Sequence, residues 1–571
     1  VPSAWDITIL ETLHLLDDSL REFSEGVADD RYAIWLGAGV SSGKLPGLRG
    51  VVEAVLEHVR ARIDPANPAC AFKTSLDRML GLVALDAGQR AAVDYAQPVA
   101  AWPPLEQVTL QLVSRYAVML DQSPPGELPD YLVWNGVDVV SRYANPATTP
   151  GPEHLGLAAL VAEGVASDCV SANWDDLIEK AMRLLDGPGS GVLQVRVLPA
   201  DVQNNVPRAR LYKFHGCAAK SGDNEGVYRD RIVGRQSQIN GWAQKPENVV
   251  IAGKLVDLAI SKPTLMLGLS AQDANIQDLF VRAQTQLPAT YPTHPPFVMV
   301  SEDAVGAHQD GLLRNFYRSD YAAHAQEIHT ASLVRSYAKS LLPALWLHVL
   351  CAKLTALIDK AAPGLPAGER DSLREGIKRL RDLSAAVADP ADQEGYMHAA
   401  LGFAGRALSL FRRGRARAAG EGIYAPLTDV GVTRTVDAPH VDADGVVQLA
   451  LAFALVGRGE QEGHWTCATG DPAQASTGAV RLVGALRQSE VFFAASAHAA
   501  AQLFASGHVT EEDDAVIVQS FDVAPRSARH PTSAPGRTGK LGLREFGVLS
   551  MADGAVSLEE LLQRFKAEVA V

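Results

Sequence analysis

Short apolar runs alternate with longer stretches whose apolar residues recur at helical spacing through the first part of the chain. Tyr32–Leu36, Asp168–Ser171, Val192–Leu198, Arg210–Phe214, Thr264–Leu267 and Phe297–Val300 have the length and apolar content of buried strands. Gly50–Ile63 and Asp176–Leu185 carry helix-period patterns between them. Strands separated by helices predict βαβ units, and so an α/β fold with a parallel sheet covered on both faces. Residues 74–148 break this rhythm and read as a helical insertion.

Near residue 325 the pattern changes. Ile328–Ile358 reads as one long helix. Asp371–Leu383 places Leu373, Ile377, Leu380 and Leu383 on one face with charges opposite, an amphipathic helix. Residues 394–417 suggest another. Ala479–Val483, Glu490–Ala495, Ala515–Val518 and Phe546–Ser550 are strand-like, and Ser557 to Glu560 is a capping-box pattern opening a last helix. Pro525–Lys540, rich in Pro, Ser, Gly and basic residues, reads as a flexible loop. The expected division is therefore residues 1–325, holding the parallel sheet, and 326–571, a mixed α+β accessory or assembly domain.

Composition narrows the class. The chain has 571 residues, 47% of them hydrophobic and 21% charged, which excludes disorder as its main state. Lys plus Arg is 52 against 66 Asp plus Glu, a formal charge of −14, so general polyanion binding is not expected. Arg406, Arg412, Arg413, Arg415 and Arg417 crowd one stretch, and Arg526, Arg529, Arg537 and Lys540 another. Few aromatic residues are interleaved to stack bases, so a solvated helix face and a loop outweigh direct nucleic-acid contact. Cys70, Cys169, Cys217, Cys351 and Cys467 form no C-x-x-C pair, which argues against a zinc ribbon or a disulfide scaffold and for a reducing cytoplasm. The apolar stretches, 341–358 among them, are interrupted by polar residues, so no membrane span is expected. Val1–Asp6 lacks the basic and apolar regions of a signal peptide.

Four motifs carry the candidate chemistry. Gly37-Ala38-Gly39-Val40-Ser41 follows the first strand-like run. Small residues at a strand-to-helix turn let backbone N–H groups approach a pyrophosphate; the alternative is a tight turn that needed glycine. Arg49, just beyond, could face a phosphate or stand as a surface cation. Ser171-Ala172-Asn173-Trp174-Asp175 ends the second run. Asn173 there could bind a ribose hydroxyl or a water, or cap the next helix. Tyr212-Lys213-Phe214-His215-Gly216 places a histidine at a strand end, suited to proton transfer unless it is a satisfied core histidine. Gly268-Leu269-Ser270-Ala271-Gln272-Asp273 offers a second phosphate or ribose contact, unless Ser270 caps a helix and Asp273 completes a capping box.

In this order the four motifs resemble the sirtuin family, whose pattern is a GAG-[IV]-S turn, a T-x-N-x-D segment, a strand ending in His-Gly, and a later G-x-S. The resemblance covers about the first 325 residues and implies a Rossmann-like fold that uses NAD. This sequence departs from the pattern in informative ways. Ser41 and Pro46 stand one position closer than usual, Ser171 replaces Thr, and Leu48 stands where the deacylases carry Phe. Most deacylases of the family hold a four-cysteine zinc ribbon, which these cysteines could not build. The chain looks more like the sirtuin-like proteins of bacterial antiphage defence, which lack the zinc module and hydrolyse NAD.

That resemblance implies an NAD glycohydrolase acting as the toxic effector of abortive infection, with NAD as substrate and no metal. It assigns Asn173 and His215 to catalysis, and Gly37, Ala38, Gly39, Ser41, Arg49, Asp175, Gly268, Ser270 and Asp273 to the dinucleotide. It also implies an oligomer, or a complex with a defence partner such as a HerA-like ATPase or a short Argonaute protein. The competing expectations are a protein deacylase or ADP-ribosyltransferase, and a non-catalytic NAD-binding assembly subunit.

Overall fold

The computed structural model describes residues 3–189, 191–203, 208–287, 290–293, 296–468, 476–485, 487–523 and 542–571. Pro525–Lys540, with its four basic residues, lies outside them.

Seven parallel strands form the first sheet: β1 (Ala33–Leu36), β2 (Asp168–Ser171), β3 (Leu193–Arg196), β4 (Ala209–Lys213), β5 (Thr264–Leu267), β6 (Val298–Ser301) and β7 (Leu333–Val334). Their spatial order is β3-β4-β2-β1-β5-β6-β7. Every residue of β1, β2, β5 and β6 is buried. Side chains alternate across a strand, and both faces here are covered. Ile34 and Leu36 enter one core together with Leu155, Leu341 and Trp346. Ala33 and Trp35 enter the opposite core with Phe214, Phe280 and Phe316. This is the Rossmann-like α/β sheet expected from the strand pattern.

The insertion is helical. Helices Ala71–Gly81, Leu105–Val113 and Tyr116–Leu120 share a core with Leu48–Arg60. The expected single helix over Ile328–Ile358 is instead divided among four elements: the helix Ser319–Ala331, the strand β7, the helix Ala338–Ala356 and the short helix Ile358–Ala361. Ser336 explains part of the break. It is fully buried, its hydroxyl lies 2.9 Å from that of Thr12, and its carbonyl accepts a hydrogen bond from Ser301. Ala338–Ala361 is long and apolar enough to cross a membrane, but 67% of its apolar window is buried within the protein. It packs on Pro152–Ala162, a helix that is apolar nearly all round and therefore buried. The core of the first sheet thus runs past residue 325.

A second, mixed sheet has the order β12-β11-β10-β9-β8, built from β8 (Thr466–Cys467), β9 (Val480–Val483), β10 (Gln488–Ala494), β11 (Ala515–Gln519) and β12 (Arg544–Gly547). β10, β11 and β12 are parallel, and β9 is antiparallel to both its neighbours. The strand expected over Phe546–Ser550 ends at Gly547, where a short helix begins. Helices Val446–Gln461 and Leu558–Val569 contribute to the core on this sheet. Ser557 caps the latter by accepting from the Glu560 N–H at 3.2 Å, while the Glu560 side chain reaches the Val556 N–H.

Candidate active site

All four motifs stand at the carboxyl ends of strands. β1 has β2 on one side and β5 on the other, and the chain changes its direction of travel across the sheet there. Open parallel sheets place ligands in the crevice at such a point.

Beyond β1 the chain tightens into a 3-10 turn, Ala38–Ser41. The Gly37 N–H donates to the Leu267 carbonyl at 3.0 Å and the Gly39 N–H to the Gly268 carbonyl at 3.0 Å. A Cβ on Gly37 would lie 2.4 Å from the Gly268 oxygen, and one on Gly39 2.7 Å from the Gly268 Cα. Gly268 itself has φ +57°. The first and fourth motifs are therefore one interlocked pair of turns, and their contact demands these glycines. Two of the N–H groups expected to cradle a pyrophosphate are spent inside the protein. Ala38 and Gly39 remain exposed at the tip, as does Ser270.

Asn173 joins the second motif to this pair. Its Nδ2 donates to the Gly37 carbonyl at 3.0 Å, and its own N–H donates to Ser171 Oγ at 3.0 Å. It caps no helix; the next one opens after Asp176. Ser41 is buried beneath the turn. Its Oγ lies 3.0 Å from Asp175 Oδ2 and 3.2 Å from His154 Nε2. His154 Nδ1 accepts from the Gly151 N–H at 3.1 Å, so the ring proton sits on Nε2. His154 therefore donates to Ser41, and Ser41 donates to Asp175. Burial lowers the His154 pKa to about 4 and keeps the ring neutral. Asp175 also accepts from the Leu177 N–H, and its carbonyl is held by the buried Lys213 ammonium. Burial opposes that charge, but Glu179 at 3.1 Å, Cys217 and Asp175 outweigh it and hold the ammonium protonated.

His215 is 3% exposed, against the Phe214 ring. Its Nε2 lies 2.8 Å from Asn275 Nδ2. Burial depresses its pKa, partly countered by Asp273. Asp273 precedes the helix Ala274–Gln286 without a side-chain cap. Its carboxylate instead accepts from Tyr116 Oη at 2.9 and 3.1 Å, which ties the helical insertion to the site. Arg49 stands apart, exposed in the first turn of the helix Leu48–Arg60 and paired with Glu53.

The structure thus brings together Gly37, Ala38, Gly39, Ser41, Asn173, Asp175 and Gly268, with His215 and Asp273 adjoining through Asn275 and the Ala172 backbone. His154, Asn275 and Tyr116 had no signal strong enough to be read from sequence. Asn275 comes two residues after Asp273, and His154 sits in the first turn of a helix with Pro at its start, where a histidine is unremarkable. A cavity of about 410 Å³ is lined by Asp176, Glu179 and Cys217 among others, the last two in contact with Lys213, and by none of the motif residues assigned to the dinucleotide. Another, of about 550 Å³, lies toward the far end of the helix Leu48–Arg60. Among the described residues no group of three or more His, Cys, Asp or Glu is placed to hold a metal ion, and all five cysteines are free.

Sheet order, interlocked turns and strand-end polar residues define a doubly wound α/β protein with its candidate site at the switch point. Residues 168–322 match the model of the family described as SIR2-like domain. The matched span opens at β2 and takes in Asn173, His215 and Asp273, while the Gly37 turn lies before it. A comparison with curated proteins gives no match. The chain carries a SIR2-like domain, which fits an NAD-related function.

Proposed function

We propose that this protein hydrolyses NAD at the nicotinamide–ribose bond, releasing nicotinamide and ADP-ribose. One observation carries the reading: Asn173, bonded to the Gly37 turn, and His215, one strand over and bonded to the backbone of neighbouring Ala172, both stand at the carboxyl edge of a SIR2-like domain. In the reaction the bond from the ribose anomeric carbon to nicotinamide nitrogen breaks and its electron pair leaves with neutral nicotinamide. The oxygen of water bonds to that carbon, and the water proton passes to His215 and on to solvent. Asn173 orients the ribose or the water. The exposed Ala38 at the tip of the turn and the Ser270 hydroxyl suit phosphate and ribose oxygens, while Gly39 lets the chain pass close to Gly268. Ser41, Asp175 and His154 brace the turn from below, and Gly37 and Gly268 let the two turns meet.

We further propose that the enzyme is the effector of an antiphage system, silent until triggered, and that residues 326–571 serve assembly with a partner or a second copy. An unrestrained NAD hydrolase would exhaust its own cell. The burial of His215 supports a resting state.

The test is nicotinamide release from NAD, with and without candidate partners. Asn173→Ala and His215→Ala should each slow release by about 100-fold or more. Wild-type rates in both variants would sink the site assignment, and removal of acyl groups from lysine peptides without nicotinamide hydrolysis would favour a deacylase. One observation favours a second reading, a non-catalytic NAD-binding subunit: His215 is buried with Nε2 already bonded to Asn275. Tight NAD binding without turnover, even with a partner present, would select it.

A further inference from the structure

We infer that Asn275 is the positioning residue for His215, fixing the imidazole proton on Nδ1 and keeping the basic lone pair on Nε2. This rests on the hydrolase reading for its purpose, but its geometry stands alone. Asn275 is 2% exposed in the first turn of Ala274–Gln286. Its Oδ1 accepts from the Ile276 N–H at 3.0 Å, which turns Nδ2 toward the imidazole at 2.8 Å. An amide nitrogen can only donate, so His215 Nε2 must accept. The ring proton then belongs to Nδ1, and the backbone of Ala172, the residue before Asn173, bonds to the ring. Asp273, two residues before Asn275, is the carboxylate that acts on the ring, and Tyr116 holds it. The amide is therefore a fixed donor on a helix whose start is tied down from the insertion.

The arrangement suits a base that waits. A hydroxyl or water arriving at Nε2 is also a donor, so it replaces the Asn275 N–H without any change of tautomer. The imidazole needs no proton rearrangement before accepting the proton. Asn275 touches His215 and acts through it.

Asn275→Asp separates this role from simple packing. The carboxylate has nearly the same shape but accepts where the amide donated, so it favours an imidazolium at Nε2. In the full-length protein, histidine nitrogen NMR, with the His215 signal assigned by its loss in His215→Gln, should show the Nδ1–H tautomer in the wild type. Asn275→Asp should raise the His215 titration by about one pH unit or more. The acidic limb of the NAD-turnover profile should move up by the same amount, so that turnover at a pH below both titrations falls about 10-fold. Asn275→Ser, which keeps a donor, should recover part of the rate without moving the limb. An Nε2–H tautomer in the wild type, or an unmoved His215 titration in Asn275→Asp, overturns the inference. If the nitrogen signals behave as expected while no condition yields nicotinamide, the hydrolase reading falls and this assignment stands.

Discussion

Lys353→Met tests how the first sheet is joined to the chain beyond it. Lys353 and Glu163 are both fully buried and 2.7 Å apart. The ammonium spends all three donors: on Glu163 Oε2, on the Glu163 carbonyl at 2.8 Å and on the Thr428 carbonyl at 2.8 Å. The other carboxylate oxygen accepts from Tyr424 Oη and from the Leu427 N–H at 2.9 Å. Methionine fills the space but leaves a carboxylate without its counter-ion and two carbonyls without donors. Breaking one side of a buried pair costs about 3–5 kcal/mol, whereas replacing both partners is often close to neutral. Urea unfolding of Lys353→Met should therefore show a loss of about 4 kcal/mol. Lys353→Met combined with Glu163→Gln should regain about 2 kcal/mol or more of it, since the remaining amide can still accept from Tyr424 and Leu427. A loss below about 1 kcal/mol in the single variant, or strict additivity in the pair, would refute the view that this contact is a buried, mutually dependent ion pair.

Three further outcomes follow from the site. Gly268→Ala forces a Cβ to 2.5 Å from the Val40 nitrogen at φ +57°, so it should lower stability by about 2 kcal/mol or more and abolish NAD turnover. Gly47→Ala, with nothing within 4 Å of its Cβ, should cost less than about 1 kcal/mol by thermal melting. His154 titrates near 4 when folded and at 6.5 when unfolded, so the unfolded chain binds the extra proton between those values. Its contribution is complete above pH 6.5 and falls by about 3 kcal/mol as pH drops to 4. Neighbouring Glu153, pushed up to about 7 by burial, works the opposite way over an overlapping range. The measurement is thus the wild type minus His154→Gln across that window, and a flat difference would contradict the buried neutral ring.

Much of the first sheet was legible because fully buried parallel strands write themselves as continuous apolar runs. β2 and β5 have the expected bounds, β1 differs by a residue at its start, and β3, β4 and β6 differ by a residue or two at both ends. The strand-end glycines, Asn173 and His215 were legible for a related reason: polar and small residues interrupt apolar runs where the chain must turn. β7 was not, since two residues flanked by helical periodicity leave no pattern of their own. Nor was the Ser41–His154–Asp175 chain, whose members are far apart in sequence and meet only once the sheet is built. The arginine-rich stretch misled in its chemistry. Arg412 donates to the Pro426 and Leu427 carbonyls and Arg417 to those of Glu421 and Gly422, while Arg413 faces Glu421. These side chains knit a local loop, and spacing alone could not distinguish that from a solvated face.

The helix Ala338–Ala356 gives the molecule a particular kind of indivisibility. A polypeptide stopped at residue 325 would lack β7 and would leave the apolar side of Pro152–Ala162 open to water. That same helix carries Lys353 at one end, and His154 stands on the element it covers. The packing thus runs without a break from Lys353 along this helix to Pro152–Ala162 and, through His154, to Ser41 under the Gly37 turn. Cutting the chain at 325 would therefore disturb the turn beyond β1 as well as removing the second sheet.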